Sequence, residues 1–455
     1  LKRRGEKLRD LVEKLKGRRP PQKLSLPQDP VEFAEKILGF RPYPYQAKLL
    51  RDPSKRIAVR MCRQAGKTST IAVRAIWHAA IHPRTLSLIV SASLRQSMIM
   101  MDRIHGFLMA LPEPLRRSLI LKLQRTVVWF RNGSQIVALP CSVHLLRGYS
   151  AHLVAVDEAS FIRDDEALFY GVLYPMLSTT RGTLIASSTP WGRESVFYRM
   201  NQDPGFSKHV VSWREVVEAG LVEPGFIEEM RRTLPAERFQ MEFEAQFVED
   251  ADSYFSQDLI ARCIDAELEP YDFEDQPSGE FYAGVDFGKR VDYSVVAVVE
   301  RAPDGVLRLV HIFQFPLETP YASVIGYVKT LSDRYRSIQG VYADQTGVGD
   351  YLVEDMQRSG IPGVEGVTLT AQRKAEILGL LKQKMQEGLL NIPYDPDLIA
   401  EINLEKFELS REGLIHFSHP EGTHDDRLWA LALAVYAASR QMGPIQVETG
   451  RIPRS

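Results

Sequence analysis

Short, almost wholly apolar runs alternate with longer segments of helical period through the first half of the chain. Residues 57–61, 86–91, 153–156 and 184–187 are apolar at nearly every position, as expected of strands buried on both faces of a parallel sheet. The stretches between them are long enough for crossover helices. Residues 127–130 and 135–139 flank Asn132-Gly133, the signal for a tight hairpin attached to that sheet. This half therefore reads as α/β. From 249 to 280 the composition turns acidic and turn-forming, with Asp272, Glu274, Asp275, Pro277, Ser278 and Gly279, which predicts a domain boundary. Beyond it, 282–285, 294–300 and 306–315 read as three strands joined by links too short for anything but an antiparallel meander. A buried run at 340–343 and an apolar helix at 428–438 complete a second, mixed α/β domain. The predicted organisation is an arm (1–30), a first domain (31–250), an acidic linker (251–279), a second domain (280–441) and a tail (442–455).

Composition narrows the class. The 455 residues carry 57 Lys and Arg against 58 Asp and Glu, so no overall field marks a nucleic-acid or membrane partner. Any such preference must be local. The run at 428–438 is about half of the roughly 20 residues that a membrane span requires. Three widely separated cysteines, Cys62, Cys141 and Cys263, argue against a disulfide framework and against a Cys-rich zinc site. No apolar segment follows the basic residues at the start, so the expectation is a cytosolic protein without a signal peptide. Residues 1–24 are rich in Lys and Arg, with Leu8, Leu11, Val12 and Leu15 on one helical face. Such an arm suits packing on the body or contact with nucleic acid or a neighbouring subunit.

The first candidate chemistry stands at the end of the first strand, where Arg63-Gln64-Ala65-Gly66-Lys67-Thr68 closes as a Walker A loop does. Backbone N–H groups at such a helix start bind phosphate; Lys67 would reach the β- and γ-phosphates of ATP and Thr68 would hold its Mg²⁺. Met61 takes the place of the first loop glycine. The strand 153–156 ends in Asp157-Glu158, the acids expected to hold magnesium and to polarise the attacking water. Tyr45 and Gln46, before the first strand, are candidates to support and read the adenine. Ser187-Ser188-Thr189, after the next strand, are candidates to sense the γ-phosphate and couple hydrolysis to movement. Arg147, on a loop before Asp157, would act as an arginine finger in trans; Arg63, inside the phosphate loop, competes for the role in cis.

A second set of acids lies beyond the boundary. Asp286 and Asp344 end predicted strands, and Asp425-Asp426 open the apolar helix. Acids delivered by three chain segments suit two hard cations, Mg²⁺ or Mn²⁺, with Asp286 bridging, and two metals about 3.5 to 4 Å apart support in-line phosphodiester displacement. His424 and Asp292 rank behind them. Helix capping would explain one of these acids but hardly all of them.

Together these residues resemble the large subunit of the tailed-bacteriophage DNA-packaging terminase. The resemblance runs from Tyr43 to Ala438 on Arg63 to Thr68, Asp157-Glu158, Ser187 to Thr189, Val285-Asp286-Phe287-Gly288, Asp344 and His424-Asp425-Asp426. It implies a RecA-like P-loop ATPase with a small lid, followed by an RNase H-like nuclease. It also implies ATP-driven translocation of double-stranded viral DNA into a procapsid, cleavage of concatemers, and a homo-oligomeric ring of about five subunits. The portal protein and a small terminase subunit would be partners, in the host cytoplasm, with docking on the portal during packaging. The trans role of Arg147 follows from its matching position. Residues 402–417, two alternating runs around Arg411-Glu412-Gly413, resemble the hairpin that flanks the cleft in similar nucleases, and are expected to control DNA access. Two rivals remain at this stage. A repair or recombination ATPase fused to a resolvase-like nuclease would, as a helicase, need a second motor domain, for which 189–250 is too short; that stretch suits a lid packed on Trp213 and Phe226. An ATP-regulated DNA-binding assembly protein would not need every acid and Lys67.

Overall fold

The computed structural model describes residues 26–248 and 253–440 except 289, 291, 336–337, 347–349, 410–414 and 421–422. The basic arm through residue 25, the tail and the hairpin tip with Arg411-Glu412-Gly413 lie outside the described residues. Two sheets carry the molecule. The first joins β1 (Arg56–Met61), β2 (Leu86–Ser91), β3 (Ile120–Leu123), β4 (Val127–Phe130), β5 (Gln135–Pro140), β6 (Leu153–Asp157), β7 (Thr183–Ser188) and β8 (Ser207–Val211) in the order β3-β4-β5-β2-β6-β7-β1-β8. Its central strands are parallel and buried on both faces, as their unbroken apolar runs require. The Asn132-Gly133 turn closes an antiparallel β4–β5 pair on this sheet, with Gly133 at φ 86°.

The second sheet holds β9 (Glu280–Asp286), β10 (Val295–Arg301), β11 (Leu307–Gln314), β12 (Ile338–Asp344), β13 (Val364–Val367) and β14 (Leu390–Asn391), ordered β13-β12-β9-β10-β11-β14. The expected meander is present as antiparallel β9–β10–β11, and β12 joins β9 in parallel. The Asp426–Arg440 helix lies across this sheet with Leu428 to Ala438 buried. Each large apolar side chain so buried contributes on the order of 2 kcal/mol. The approach is close at Gly284 of β9, where a Cβ would stand 2.0 Å from the Ala430 carbonyl oxygen. Only glycine permits it. The contact sets the helix start beside the end of β9. Among the described residues no helix is long and apolar enough to cross a membrane.

Two expectations need correction. The described part of the acidic linker, from 253 to 279, is packed on the second domain: Phe255, Leu259, Ile260, Cys263 and Ile264 are buried in the core of the second sheet, and the Tyr271 amide donates to the Val310 carbonyl. The apolar residues of the Gln257–Cys263 helix recur at helical spacing among the acids, and that spacing decides the packing. The hairpin is shorter than 402–417. Ile402 lies in the last turn of the Pro396–Leu404 helix, buried one turn after Ile399, and the strands are β15 (Lys406–Leu409) and β16 (Ile415–Ser418). Trp213 and Phe226 pack, as expected, on a small core of Ile227, Phe239 and Phe243.

Candidate active sites

At the first site, β7 lies between β1 and β6, so the phosphate loop after β1 faces the acids at the end of β6. Strand register sets Asp157 opposite Ser187 and Ser91. The Lys67 ammonium rests between Asp157 Oδ1 at 3.4 Å and Glu158 Oε1 at 3.3 Å. Burial works against its charged form, but Glu158 and Asp157 outweigh burial and hold its pKa above the ordinary lysine value. Thr68 Oγ1 approaches Asp157 Oδ2 at 3.4 Å, Ser187 Oγ donates to Asp157 Oδ1 at 2.7 Å, and Ser188 Oγ donates to Glu158 Oε2 at 3.2 Å. The Thr189 carbonyl accepts from Ser160 Oγ at 3.1 Å. Every residue of Ser187-Ser188-Thr189 is thus tied to the acids or to the turn that follows them.

The loop itself is conformationally demanding. Gln64 at φ 62° and Glu158 at φ 53° are left-handed without being glycine, a strain of about 1–3 kcal/mol each that concentrates at functional sites. Gly66, at φ 73°, starts the Lys67–Ile81 helix with no side chain capping its first amides, which leaves them for an anion. Gln46 is buried and donates from Nε2 to the Ala65 carbonyl at 3.0 Å while its Oε1 accepts from the Tyr43 amide at 3.0 Å; the Tyr45 hydroxyl donates to the same Ala65 carbonyl at 3.2 Å. Both ends of the Gln46 amide are thus engaged within the protein, and with Tyr45 they brace the phosphate loop. A Cβ on Gly66 would meet Gln46 Nε2 at 2.4 Å. Gly66→Ala is therefore expected to lower stability by about 1–3 kcal/mol and to weaken nucleotide binding, read by thermal unfolding and nucleotide titration. An unchanged melting temperature together with unchanged affinity would contradict the brace.

The two candidate arginines differ. Arg63 pairs with Glu242 at 3.1 Å, its amide donates to the Glu242 carbonyl at 2.8 Å, and Arg238 holds the same carboxylate at 3.0 Å. Arg147 follows the short Val143–Leu146 helix and is exposed.

At the second site, β9 and β12 run parallel with Ala343 opposite Val285, so Asp344 and Asp286 leave the same end of adjacent strands. Asp426 starts the helix that crosses β9 and is 3% exposed. Burial, then the charges of Asp426, Asp344, Asp425 and Asp292, holds the Asp286 carboxyl well above the usual carboxylate range. Burial also raises Asp344, and burial with Asp425 and Asp292 pushes Asp426 up to about 7. Three of the four acids, Asp344, Asp425 and Asp426, each accept a hydrogen bond of their own. Asp344 accepts from the Thr346 amide at 2.7 Å, Asp426 from the Tyr293 amide at 3.1 Å, and Asp425 from Trp429 Nε1 at 2.7 Å. His424 Nδ1 lies 3.6 Å from Asp426 and His419 Nε2 lies 3.6 Å from Asp425. Among the described residues no three His, Cys, Asp or Glu side chains are drawn together as a closed metal cage. Carboxylates gathered at one sheet end, whose charged forms burial and one another disfavour, are a donor set that a hard divalent cation neutralises.

A pH dependence follows. Because the folded-state pKa values of Asp286 and Asp426 are raised, their contribution to stability is complete below the ordinary carboxylate pKa and is lost as pH rises through the folded values, about 7 for Asp426. The metal-free melting temperature should thus fall between about pH 5 and about pH 8, and the rise on adding Mn²⁺ should be larger at the upper end, where no proton has to be displaced. A metal-induced rise equal at both ends would contradict this.

Some participants carried no sequence signal. Glu401 accepts from the amides of Arg427 at 2.7 Å and Leu428 at 3.3 Å, and burial pushes its carboxyl up to about 8. Lys374 lies over the Trp429 ring at 4.9 Å and counteracts the upward shift of Asp344. Tyr394, from the second half of the chain, packs on Phe161 beside the first site. None sits in a motif; only the folded chain brings them in.

Known proteins resemble this chain over most of its length. Residues 61–262 match the family model of the terminase large subunit, T4likevirus-type, N-terminal. The large terminase subunit of Thermus virus P23-45 is 25% identical over 444 residues, and that of Thermus phage G20c is 23% identical over 448 residues; each match covers 88% of both chains. Among solved structures, the large terminase nuclease of phage G20c with bound magnesium is 24% identical, with a TM-score of 0.35 over 41% of this chain and 97% of that one. Over residues 61–262 the chain therefore matches the terminase large subunit N-terminal family, and over most of its length it is similar to the large terminase subunits of two Thermus phages.

Proposed function

We propose that this chain is the motor and nuclease of viral DNA packaging: it hydrolyses ATP to drive double-stranded DNA into a procapsid and cuts concatemeric DNA. The observation that carries the reading is the presence of two separate charged centres on one chain, Lys67 between Asp157 and Glu158, and Asp286 with Asp344 at one end of a second sheet. In the first, the uncapped amides after Gly66 receive the phosphates and Lys67 moves from the carboxylates onto them. Thr68 and Asp157, 3.4 Å apart, would hold the magnesium of ATP. Glu158, released from the ammonium, orients the attacking water, and Ser188, hydrogen-bonded to Glu158, shifts with it. That displacement passes to the lid through Thr189. Arg63 is already engaged by Glu242, whereas Arg147 is exposed, which supports Arg147 as the finger completing a neighbour's site in a ring. Such a residue contributes about 10³ to 10⁵ in rate.

In the second centre, Asp286, Asp344, Asp425 and Asp426 would hold Mg²⁺ or Mn²⁺, which supplies stabilisation of the attacking and leaving oxygens of the phosphodiester. Asp286, on which the charges of the other acids act, would be the ligand shared most closely with them. The β15–β16 hairpin is assigned to DNA access beside this cleft. Portal protein, a small terminase subunit and a ring of about five copies complete the working assembly, formed in the host cytoplasm and docked on the portal while packaging lasts. The assay is ATP-dependent protection of double-stranded DNA from added nuclease, with procapsids bearing their portal. Protected DNA that requires both ATP and this chain supports the reading. ATP hydrolysis with no DNA ever protected would remove translocation from it.

A further inference from the structure

The acids around Asp286 repel the backbone of DNA as well as one another, so any side-chain cation beside them bears on whether a phosphate can approach. Lys374 is such a cation, and two chain segments place it. After β12, Asp344 accepts from the Thr346 amide and Thr346 Oγ1 accepts from the Leu369 amide at 2.8 Å. Thr370 then caps the Ala371–Gln386 helix, its side chain accepting from the Arg373 amide. Lys374 follows in the first turn, its amide donating to the Thr370 carbonyl at 2.8 Å. From the other side comes Trp429 of the Asp426–Arg440 helix. Its Nε1 donates to Asp425 Oδ2 at 2.7 Å, and its ring centroid lies 4.9 Å from the Lys374 ammonium. Lys374 is thus held between the segment tied to Asp344 and the indole tied to Asp425.

Nothing in the helix itself calls for a positive charge there. The first turn is the positive end of the helix dipole, which favours acids and disfavours cations, and this one carries no acid. Arg373 and Lys374 fare differently in it. Arg373 pairs with Glu376 at 2.9 Å and donates to the Tyr436 hydroxyl at 2.6 Å. Lys374, half-buried, has no carboxylate within ion-pair distance among the described residues, although its charge acts on Asp344 and on Glu405. Even Glu405, buried with Oε2 lacking a hydrogen-bond partner among the described residues, does not capture it. A ring face holds a cation without occupying its N–H donors, so those donors stay available to an anion. We infer that Lys374 donates to a non-bridging oxygen of a DNA backbone phosphate at this centre. A lysine meets phosphate as a point charge and reads no base, so the contact is independent of DNA sequence. The inference rests on the nuclease reading above.

The experiment measures single-turnover cleavage of a fluorescently labelled duplex by the full chain with Mn²⁺ in nucleotide-free buffer, over a range of protein and KCl concentrations. Lys374→Met should raise the half-saturating protein concentration about 10-fold and leave the maximal rate within about 2-fold of the wild type, as loss of a contact made equally before and during reaction requires. The plot of log half-saturating concentration against log salt should be shallower by about 0.9, the share of one phosphate. Lys374→Arg, which keeps the charge, should keep the wild-type slope. Lys374→Gln carries the test if the methionine variant does not fold. A folded variant with wild-type half-saturation and slope would overturn the contact. So would a fall in maximal rate at an unchanged slope, which would mark Lys374 as a counter-ion to Asp344. Either result leaves the nuclease reading standing, because the wild type cuts. A wild type that cuts no DNA with Mn²⁺ would overturn both.

Discussion

Lys67→Ala is expected to lower ATP hydrolysis by at least about 10²-fold and to leave metal-dependent cleavage without nucleotide within about 2-fold of the wild type. The ammonium is the only cation paired with both Asp157 and Glu158 among the described residues, so its removal acts twice. It deletes the positive charge that meets the phosphates, and it leaves two buried carboxylates without a counter-ion, which nucleotide binding must then overcome. Lys67→Arg tests the geometry: the longer planar group keeps the charge but not the compact position between the acids, and should remain strongly impaired. Steady-state phosphate release beside plasmid cleavage reads both effects. A folded Lys67→Ala protein that lost cleavage in nucleotide-free buffer as well would contradict separate centres.

Asp286→Asn is expected to abolish cleavage, with a loss of at least about 10²-fold, while DNA-stimulated ATP hydrolysis continues. Asp286 lies in the field of four other acids, so the amide removes the ligand best placed to bridge and also the like-charge repulsion. The two consequences have opposite signs. Metal-free Asp286→Asn should therefore melt higher than the metal-free wild type near neutral pH, and should lose most of the further rise that Mn²⁺ gives the wild type. Scanning calorimetry with and without Mn²⁺ measures both. A variant that melted lower than the wild type without metal would show that Asp286 is a structural acid held by partners and not a repelled ligand.

The chemistry that was legible in the sequence is chemistry written at the ends of apolar strands. Asp157 and Asp286 stand out because a carboxylate directly after an unbroken buried run has no structural reason to be there, and Lys67 because its loop follows such a run and opens a helix. Register then does the rest: parallel neighbours deliver Asp344 beside Asp286 and Ser187 beside Asp157. What stayed hidden depends on contacts between distant segments. Tyr394-Asp395-Pro396 reads locally as an ordinary helix start, and nothing in it announces Phe161. Gln46 differs, since its position before the first strand was legible while its burial under Ala65, which ties its amide to the phosphate loop, was not. At 251–279 the count of acids masked the helical spacing of Leu259, Ile260 and Cys263. At 402–417 the alternation of Ile402 and Leu404 resembled strand period, although Ile399 three residues earlier already placed Ile402 on a helix face.

The most direct test of the central claim, two independent catalytic centres on one chain, is a crossed comparison. The wild type, Lys67→Ala and Asp286→Asn proteins would be assayed side by side for DNA-stimulated ATP hydrolysis and for Mn²⁺-dependent plasmid cleavage in nucleotide-free buffer. The account predicts a double dissociation, in which Lys67→Ala loses hydrolysis and keeps cleavage while Asp286→Asn loses cleavage and keeps hydrolysis. Loss of both activities in either folded variant would contradict it.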